Sequence, residues 1–276
     1  MDRRGFLLVL AAGLAGAAVG RGTTDLVNAG PTPSRTPAPA AAVTSTKPLG
    51  VVPVLPPTGV VDVLPGEGNS LALTIDDGSD SEVVGAFIAF AADTGVRLTF
   101  FPNGCYRSWE DNASALQPLV DSGQIALGNH TWSHPDLTTL SDAEVAEEIG
   151  RNRDFLRNMF GVRGTPFLRP PFGSRDERID RIAAGEGHPT VVLWNGTFDD
   201  ARVVTGADLM AAADECLTAQ AIVVGHANQP AVTTVYDELV ELIAQRELHT
   251  VTLADVWATP AQLVRGASAK GEAVSS

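Results

Sequence analysis

Short apolar and β-branched runs recur along the chain from residue 69 onward. Each run is apolar throughout rather than alternating with polar residues, which is typical of a parallel sheet covered on both faces. Amphipathic stretches separate several of the runs. Seven runs have the length and composition of strands: 71–75, 97–101, 125–128, 165–169, 190–194, 221–225 and 250–253.

Two of the amphipathic stretches predict helices. Ser141–Glu144 is a capping box, and apolar residues follow it at spacings that can share one helical face: Val145, Ile149, Leu156 and Met159. Asp237–Gln245 has a similar face. The alternation predicts an α/β fold, a closed or nearly closed barrel of about seven parallel strands, with its active site where strands end. An open doubly wound sheet is the alternative, but no G-x-G-x-x-G follows the first strand.

The first sixty residues have a different pattern. Arg3 and Arg4 precede the uncharged stretch Phe6–Val19, so we predict a twin-arginine-like export signal over 1–22. Residues 23–59, rich in Pro, Ala and Thr, predict a linker. A folded domain over 60–262 and a flexible C-terminal tail over 263–276 complete the predicted organisation. We therefore expect an exported protein, extracellular or associated with the cell envelope, and an uncleaved signal would leave an N-terminal membrane anchor.

Charge and cysteine content exclude several classes of function. The 276 residues carry 19 Lys and Arg against 33 Asp and Glu, a net charge of −14, which argues against a nucleic-acid partner. No stable protein partner is implied either. The two cysteines, Cys105 and Cys216, form no CxxC zinc pattern. Pairing after export and two free thiols are both compatible with the sequence.

Two acidic and two histidine residues follow predicted strands. Asp76-Asp77-Gly78 comes directly after the first run, and two adjacent carboxylates need a cation or an arginine to neutralise them. A solvated acidic turn is the simpler interpretation. His130 and His134 lie four apart, a spacing that in a helical turn lets both imidazoles reach one metal ion, zinc above all. An accidental surface pair is the alternative, and a third ligand and a base must come from elsewhere.

Three further polar elements follow later strands. Arg169 begins an Arg-Pro-Pro-Phe sequence in which the prolines fix the backbone, so that the arginine and the Phe172 amide are held rigidly. Asp200 lies beyond the run 190–194, and His226 follows the run 221–225. A plain turn and a structural histidine are the simpler interpretations. Their recurrence at the same end of successive strands favours a functional site.

Together these elements resemble the polysaccharide deacetylases, carbohydrate esterase family 4 (CE4), over most of the predicted domain. Five segments match the family's motifs in their order: Leu73–Gly78, Asn129–Leu137, Leu168–Gly173, Leu193–Asp200 and Ile222–His226. The second and third matches are the most specific, and the fourth is weaker. The resemblance implies a distorted (β/α) barrel and a divalent metal. The type of ligand favours Zn²⁺, with Co²⁺ or Ni²⁺ as alternatives.

The resemblance also assigns roles to individual residues. It implies that the metal is bound by Asp77, His130 and His134. Asp76 would be the general base with Arg169 as its partner, and His226 the general acid tuned by Asp200. The backbone amide of Phe172 would help to bind the oxyanion.

Several positions depart from the family's pattern. Thr197, Ala201 and Ala227 replace residues common there, so the wall around the acetyl group is expected to use Val224 or Trp194 instead. The leading hypothesis is a de-N-acetylase of N-acetylglucosamine polymers, either peptidoglycan or chitooligosaccharide. An O-acetyl esterase of xylan-like glycans and a catalytically weak glycan-binding protein are the alternatives.

Overall fold

The computed structural model describes residues 51–259. The predicted export signal, the first part of the predicted linker and the predicted tail lie outside the described residues. Within 51–259, no helix is long and apolar enough to cross a membrane.

Strands and helices alternate through the described chain, as the sequence pattern predicts. The strands are β1 (Gly59–Val61), β2 (Ser70–Asp77), β3 (Leu98–Pro102), β4 (Ile125–Leu127), β5 (Phe167–Leu168), β6 (Thr190–Val192), β7 (Gly196–Thr197), β8 (Ile222–His226) and β9 (His249–Thr250). The helices are α1 (Ser81–Thr94), α2 (Ser108–Asp111), α3 (Ala113–Asp121), α4 (Asp142–Phe160), α5 (Glu177–Gly185), α6 (Gly206–Cys216), α7 (Tyr236–Gln245) and α8 (Leu253–Val256).

The strands form a distorted ring in which every ladder is parallel. The main sheet has the order β4-β3-β2-β8-β7, and a smaller sheet has the order β1-β6-β5. A single parallel bridge between Asn129 and Leu168 joins β4 to β5. The segment 190–197 closes the ring, because its first half, β6, pairs with β5 and its second half, β7, pairs with β8. The fold is therefore the distorted barrel expected from the sequence.

The two faces of β2 pack into two different apolar clusters. On β2, Leu71, Leu73 and Ile75 pack outward with helical residues such as Phe87. Ala72, on the opposite face, belongs to an inner cluster completed by residues from around the ring: Leu64, Phe101, Phe167, Val192, Ile222, Val251, Leu253, Val256 and Trp257. The apolar runs thus lack alternation because both of their faces are buried.

The strand boundaries differ from the sequence prediction at the ends of the domain. All seven predicted runs contain part of a strand, but in the last run only Thr250 belongs to one, because Thr252 caps α8 at Leu253. The short strands β1 and β7 are additional. Residues at the end of the predicted linker also contact the domain, since Val54 bridges Trp257 and β1 pairs with β6. Backbone pairing across the ring, which local composition does not encode, determines these boundaries.

A buried ion pair fastens the amino-terminal end of the strands. Arg97 Nε and Nη2 lie 2.7 and 2.8 Å from the two carboxylate oxygens of Asp255, and both side chains are 7% exposed. Nη2 also donates to the Gly123 carbonyl oxygen at 2.6 Å. The pair therefore joins β3, α8 and the turn before β4.

Replacing Arg97 by methionine is expected to lower the free energy of unfolding by about 3–5 kcal/mol, because Asp255 would stay buried without its partner. Urea unfolding followed by circular dichroism measures the change. Arg107→Met is the matched control: Arg107 pairs with Asp111 but its side chain is 83% exposed, so the change should be within about 0.5 kcal/mol. Equal losses in the two variants would contradict the assignment.

Candidate metal centre and active site

Four loops bring polar side chains together at one end of the barrel. Asp76 and Asp77 end β2, His226 ends β8, and His130 and Arg169 follow β4 and β5. Because all of these strands run parallel, their carboxyl ends meet at the same edge. Parallel registration also sets Asp76 opposite His226 in the β2–β8 pair.

The two adjacent aspartates reach the site because β2 ends in a left-handed residue. Successive side chains of a strand point to opposite faces, so a regular strand could present only one of them. Asp77 has φ of 69°, a conformation that aspartate tolerates better than most residues. Gly78 follows with φ of 89°, and a Cβ there would lie 2.4 Å from the Trp109 ring. Glycine is therefore required at the turn that directly follows the two aspartates.

Asp77, His130 and His134 form a cluster with the geometry of a metal centre. The Nε2 atoms of His130 and His134 lie 3.2 and 3.3 Å from Asp77 Oδ1, and one potential ligand atom of each residue lies within 4.8 Å of the others. Ligands about 2.0–2.1 Å from a tetrahedral ion are about 3.3 Å apart. The cluster therefore matches the spacing of a zinc-like site.

The hydrogen bonds of the cluster leave lone pairs facing one another. His130 Nδ1 lies 2.7 Å from the Arg169 carbonyl oxygen, which can only accept, so Nδ1 donates and, in the neutral ring that binds metals, Nε2 keeps its lone pair. Asp77 Oδ1 is buried and has no hydrogen-bond partner. An unpaired carboxylate oxygen beside an imidazole lone pair is stabilised only by a cation or a proton between them. The three residues thus fit a divalent metal ion.

The pKa values of the cluster reflect the negative charge of its neighbouring aspartates. Burial opposes ionisation of Asp77, but the positive charge of the nearby His130 and His134 outweighs it and holds the pKa of Asp77 below its ordinary value. Burial alone would lower the pKa of His130, yet the charges of Asp76 and Asp77 raise it. Burial and the neighbouring His130 lower the pKa of His134. The site favours positive charge between Asp77 and His130.

The histidine loop is not the helical turn that the i, i+4 spacing suggests. Thr131 and His134 have φ of 70° and 62°, so the chain from His130 to His134 is irregular. The Thr131 amide donates to Asn129 Oδ1 at 2.9 Å, and Asn103 Nδ2 donates to the His130 carbonyl oxygen at 2.5 Å. The helical interpretation is wrong, because these buried contacts, and not a helix, bring both imidazoles to Asp77.

Asp76 forms a buried ion pair with Arg169. Arg169 Nη1 lies 2.9 Å from Asp76 Oδ1 and 2.7 Å from Thr74 Oγ1, and the arginine is fully buried. Its Nε and Nη2 donate to the carbonyl oxygens of Val192 and Leu193. Asp76 Oδ2 lies 3.8 Å from His130 Nε2. The carboxylate is therefore held rigidly beside the candidate metal centre.

His226 is paired with a buried carboxylate. Asp200 Oδ1 lies 2.8 Å from His226 Nδ1, and Oδ2 accepts from the His226 amide at 3.0 Å. Burial lowers the pKa of His226, but the hydrogen bond to Asp200 and the charges of Asp76, Asp200 and Asp77 overcome it and raise the pKa to about 9. At neutral pH His226 is thus a cation with Nε2 available to donate.

The three residues assigned to substrate binding lie at different depths. Phe172 has φ of 60° and is 68% exposed, with its ring centroid 4.6 Å from that of His134. Trp194 is half-buried, and its ring centroid lies 5.6 Å from the Arg169 guanidinium. Val224 is 2% exposed and pairs with Thr74, one layer beneath His226, which leaves little of it accessible to a substrate.

Sequence reasoning missed the asparagines that support the site. Asn103, Asn129 and Asn152 are fully buried and hydrogen-bonded to one another's loops, and Asn228 Nδ2 donates to Asp77 Oδ2 at 2.6 Å. Asn129 precedes His130 and Asn228 follows His226 by two residues. Their closeness in sequence to the histidines could have marked Asn129 and Asn228 as candidate site residues. It does not indicate which carbonyl or carboxylate oxygen each side-chain amide contacts.

The remaining histidines and both cysteines are not part of the cluster of potential metal ligands. His188 is 1% exposed with Nε2 3.0 Å from Asn129 Nδ2, and burial lowers its pKa to about 4. His249 is exposed at the opposite end of the barrel. Cys105 and Cys216 are both free thiols.

Comparison with known proteins identifies related sequences. Residues 64–191 match the family model for polysaccharide deacetylase. A peptidoglycan-N-acetylglucosamine deacetylase of Bacillus cereus is 31% identical over 125 residues, which are 45% of this chain and 44% of the relative. Chitin deacetylase 1 of Cryptococcus neoformans var. grubii is 35% identical over 137 residues, 49% of this chain and 28% of the relative. The match thus spans less than half the length of either relative.

A solved structure has the same fold. The CE4 family pseudoenzyme BA3943 of Bacillus anthracis superposes with a TM-score of 0.64 at 18% identity, covering 72% of this chain and 69% of that one. Because that protein is named a pseudoenzyme, the shared barrel by itself does not establish catalysis. An argument for catalysis must therefore come from the side chains at the carboxyl ends of the strands.

The pKa of His226 is expected to fall in the Asp200→Asn variant, because the amide keeps the shape of the carboxylate but not its charge. The sign follows from linkage: a raised histidine pKa stabilises the fold below the unfolded value of about 6.5, and this stabilisation is lost as pH rises through about 9. NMR titration of the His226 ring in metal-free protein measures the shift. Exposed His249 is the internal control, and an unchanged His226 titration would contradict the assigned partner.

Proposed function

We propose that the protein is a metal-dependent hydrolase that removes N-acetyl groups from N-acetylglucosamine-containing polysaccharide, a proposal supported by the match of residues 64–191 to the polysaccharide deacetylase family model. The observation that carries the proposal is the cluster of Asp77, His130 and His134 around a buried, unpartnered carboxylate oxygen. A second carboxylate, Asp76, lies beside this cluster. Three ligands and an adjacent base are the requirements of metal-assisted hydrolysis.

The proposed cofactor is a divalent metal ion held by Asp77, His130 and His134. Two imidazoles and one carboxylate favour Zn²⁺, and Co²⁺ and Ni²⁺ suit the same donors. When bound, such an ion acts as a Lewis acid that lowers the pKa of water and polarises the acetyl carbonyl.

Asp76 is proposed as the general base. Its Oδ1 is held by Arg169, and Oδ2 is directed towards His130, which leaves that oxygen to accept the proton of the attacking water. Arg169 fixes the direction of the carboxylate, and the hydrogen bonds of Arg169 to Thr74 and Val192 hold the guanidinium itself in place.

His226 is proposed as the general acid. The C–N bond breaks only if the departing amine is protonated, and the raised pKa of His226 keeps a proton on its ring at neutral pH. Asp200 holds Nδ1, so the proton transferred is the one on Nε2. The backbone amide of Phe172, fixed between Pro171 and Gly173, is proposed to help bind the oxyanion.

The proposed substrates are peptidoglycan and chitooligosaccharides. The two relatives described above are named as deacetylases of peptidoglycan and of chitin, which are both N-acetylated glycans. The exposed ring of Phe172 beside His134 offers the flat apolar face on which a sugar ring can pack. An export signal over residues 1–22 would place the domain outside the cytoplasm, where peptidoglycan lies, either released or retained by an uncleaved anchor.

Acetate release from chitooligosaccharide and from peptidoglycan tests the proposed activity. We expect release with Zn²⁺ or Co²⁺, loss with a chelator, and recovery on adding metal back. Asp76→Asn should reduce the rate by about 10²–10⁴-fold, because the amide cannot accept the proton. Asn69→Ala, at the opposite end of the barrel, is the control.

The outcome of this assay separates the proposed function from its alternatives. Faster release from acetylated xylan than from either N-acetylated glycan would favour an O-acetyl esterase. Glycan binding without acetate release, with metal restored, would show that the protein only binds glycans.

His134→Ala should weaken metal binding by more than about 100-fold, since losing a direct ligand exceeds the 10–100-fold cost of losing a supporting residue. Isothermal titration with Zn²⁺ measures the affinity, and the exposed His249 provides the matched control His249→Ala. Full metal occupancy in His134→Ala would refute the ligand assignment.

A further inference from the structure

The Asn228 side chain bridges two loops at the candidate metal centre. Its Nδ2 donates to Asp77 Oδ2 at 2.6 Å, while its Oδ1 accepts from the Ser79 amide at 3.0 Å and from Ser79 Oγ at 2.7 Å. Asn228 belongs to the loop after β8, and Asp77 and Ser79 to the loop after β2. The bridge therefore joins the loop that carries His226 to the loop that carries Asp77.

The orientation of the Asn228 amide is fixed by its partners. The Ser79 backbone N–H can only donate, so it must face the amide oxygen. The ionised Asp77 carboxylate can only accept, so it must face the amide NH₂ group. Flipping the amide would set a donor against a donor and an acceptor against an acceptor. The hydrogen bond to Asp77 Oδ2 thus has one possible direction.

Because of this bridge, the two carboxylate oxygens of Asp77 have different surroundings. Oδ2 is occupied by Asn228, whereas Oδ1 faces His130 and His134 with no hydrogen-bond partner. A free carboxylate can rotate about its terminal bond and present either oxygen or both to an ion. Asn228 removes that freedom and leaves one oxygen for the metal.

Backbone contacts place the Asn228 loop without help from its side chain. The Ala227 amide donates to the Asp76 carbonyl oxygen at 3.0 Å, and the Asp80 amide approaches the Ala227 carbonyl oxygen at 3.4 Å. Removing the Asn228 amide should therefore leave both loops in place. What changes is the orientation of the Asp77 carboxylate.

We propose that Asn228 is a positioning residue that holds Asp77 as a single-oxygen ligand and thereby raises the affinity of the site for its divalent cation. This inference rests on the metal site of the proposed function. Residues that hydrogen-bond to metal ligands typically contribute 10–100-fold to metal affinity. Asn228 acts through Asp77 and does not itself contact the ion.

The test is direct titration of metal-free protein with Zn²⁺ and with Co²⁺, for the wild type, Asn228→Ala and Asn228→Leu. We expect both variants to bind each ion about 10–100-fold more weakly than the wild type. Leucine keeps the branched shape of asparagine without its hydrogen bonds, so equal losses in the two variants assign the effect to the amide. The visible spectrum of bound Co²⁺ should also change, because the Asp77 carboxylate can then turn towards two-oxygen coordination.

Two control variants bracket the effect. Ser79→Ala removes one donor to Asn228 but keeps the backbone N–H, so its affinity loss should be smaller than that of Asn228→Ala. Asn69→Ala, whose side chain contacts the Glu247 carbonyl oxygen, should bind like the wild type. Thermal unfolding of each metal-free variant checks that the fold is retained.

The possible outcomes separate this inference from the proposed function. A wild type that binds neither ion overturns the proposed metal site, and this inference with it. Wild-type affinity in both Asn228 variants overturns only the role of Asn228. Wild-type affinity in Asn228→Leu alone also overturns it, since the shape of the side chain, and not its hydrogen bond, would then be responsible.

Discussion

The buried ion pair between Asp76 and Arg169 is the constraint around which this end of the barrel is organised. A carboxylate inside a ring of strands is stable only if a cation neutralises it and hydrogen bonds satisfy its oxygens. Arg169 neutralises Asp76 and donates to its Oδ1, and it also donates to Thr74 on β2 and to the carbonyl oxygens of Val192 and Leu193 at the end of β6. Its own carbonyl oxygen accepts from His130, so one residue aligns the candidate base and the candidate metal centre.

Much of the fold could be predicted from the sequence. The apolar runs contain the strands because strands buried on both faces leave an unbroken hydrophobic signature. Parallel pairing then places every strand's carboxyl end at one edge, so residues far apart in sequence, such as Asp76 and His226, are predicted to meet. The capping box at Ser141 begins α4 as expected, since its hydrogen bonds are local.

The rest depends on tertiary contacts that leave no local pattern. The left-handed φ of Asp77 lets two neighbouring aspartates serve one site, and it is set by contacts of its carbonyl oxygen with Asn103 and Trp109. The loop around Thr131 is likewise held by buried asparagines from other elements. The break between β6 and β7 occurs where the segment changes its pairing from β5 to β8, and the Asn228–Asp77 hydrogen bond joins the loops of two paired strands. Hydrophobic periodicity predicts neither of these contacts.

Backbone strain is concentrated at one end of the barrel. Five of the non-glycine residues with positive φ lie in the loops of the candidate site: Asp77, Thr131, His134, Phe172 and Asp199. Such conformations cost about 1–3 kcal/mol each, and relaxing them would disturb the site. The opposite end, where Arg97 pairs with Asp255, contains none of the proposed catalytic residues. The fold and the proposed activity therefore depend on different ends of the barrel, so stabilising substitutions at the amino-terminal end of the strands are expected to leave the candidate site unchanged.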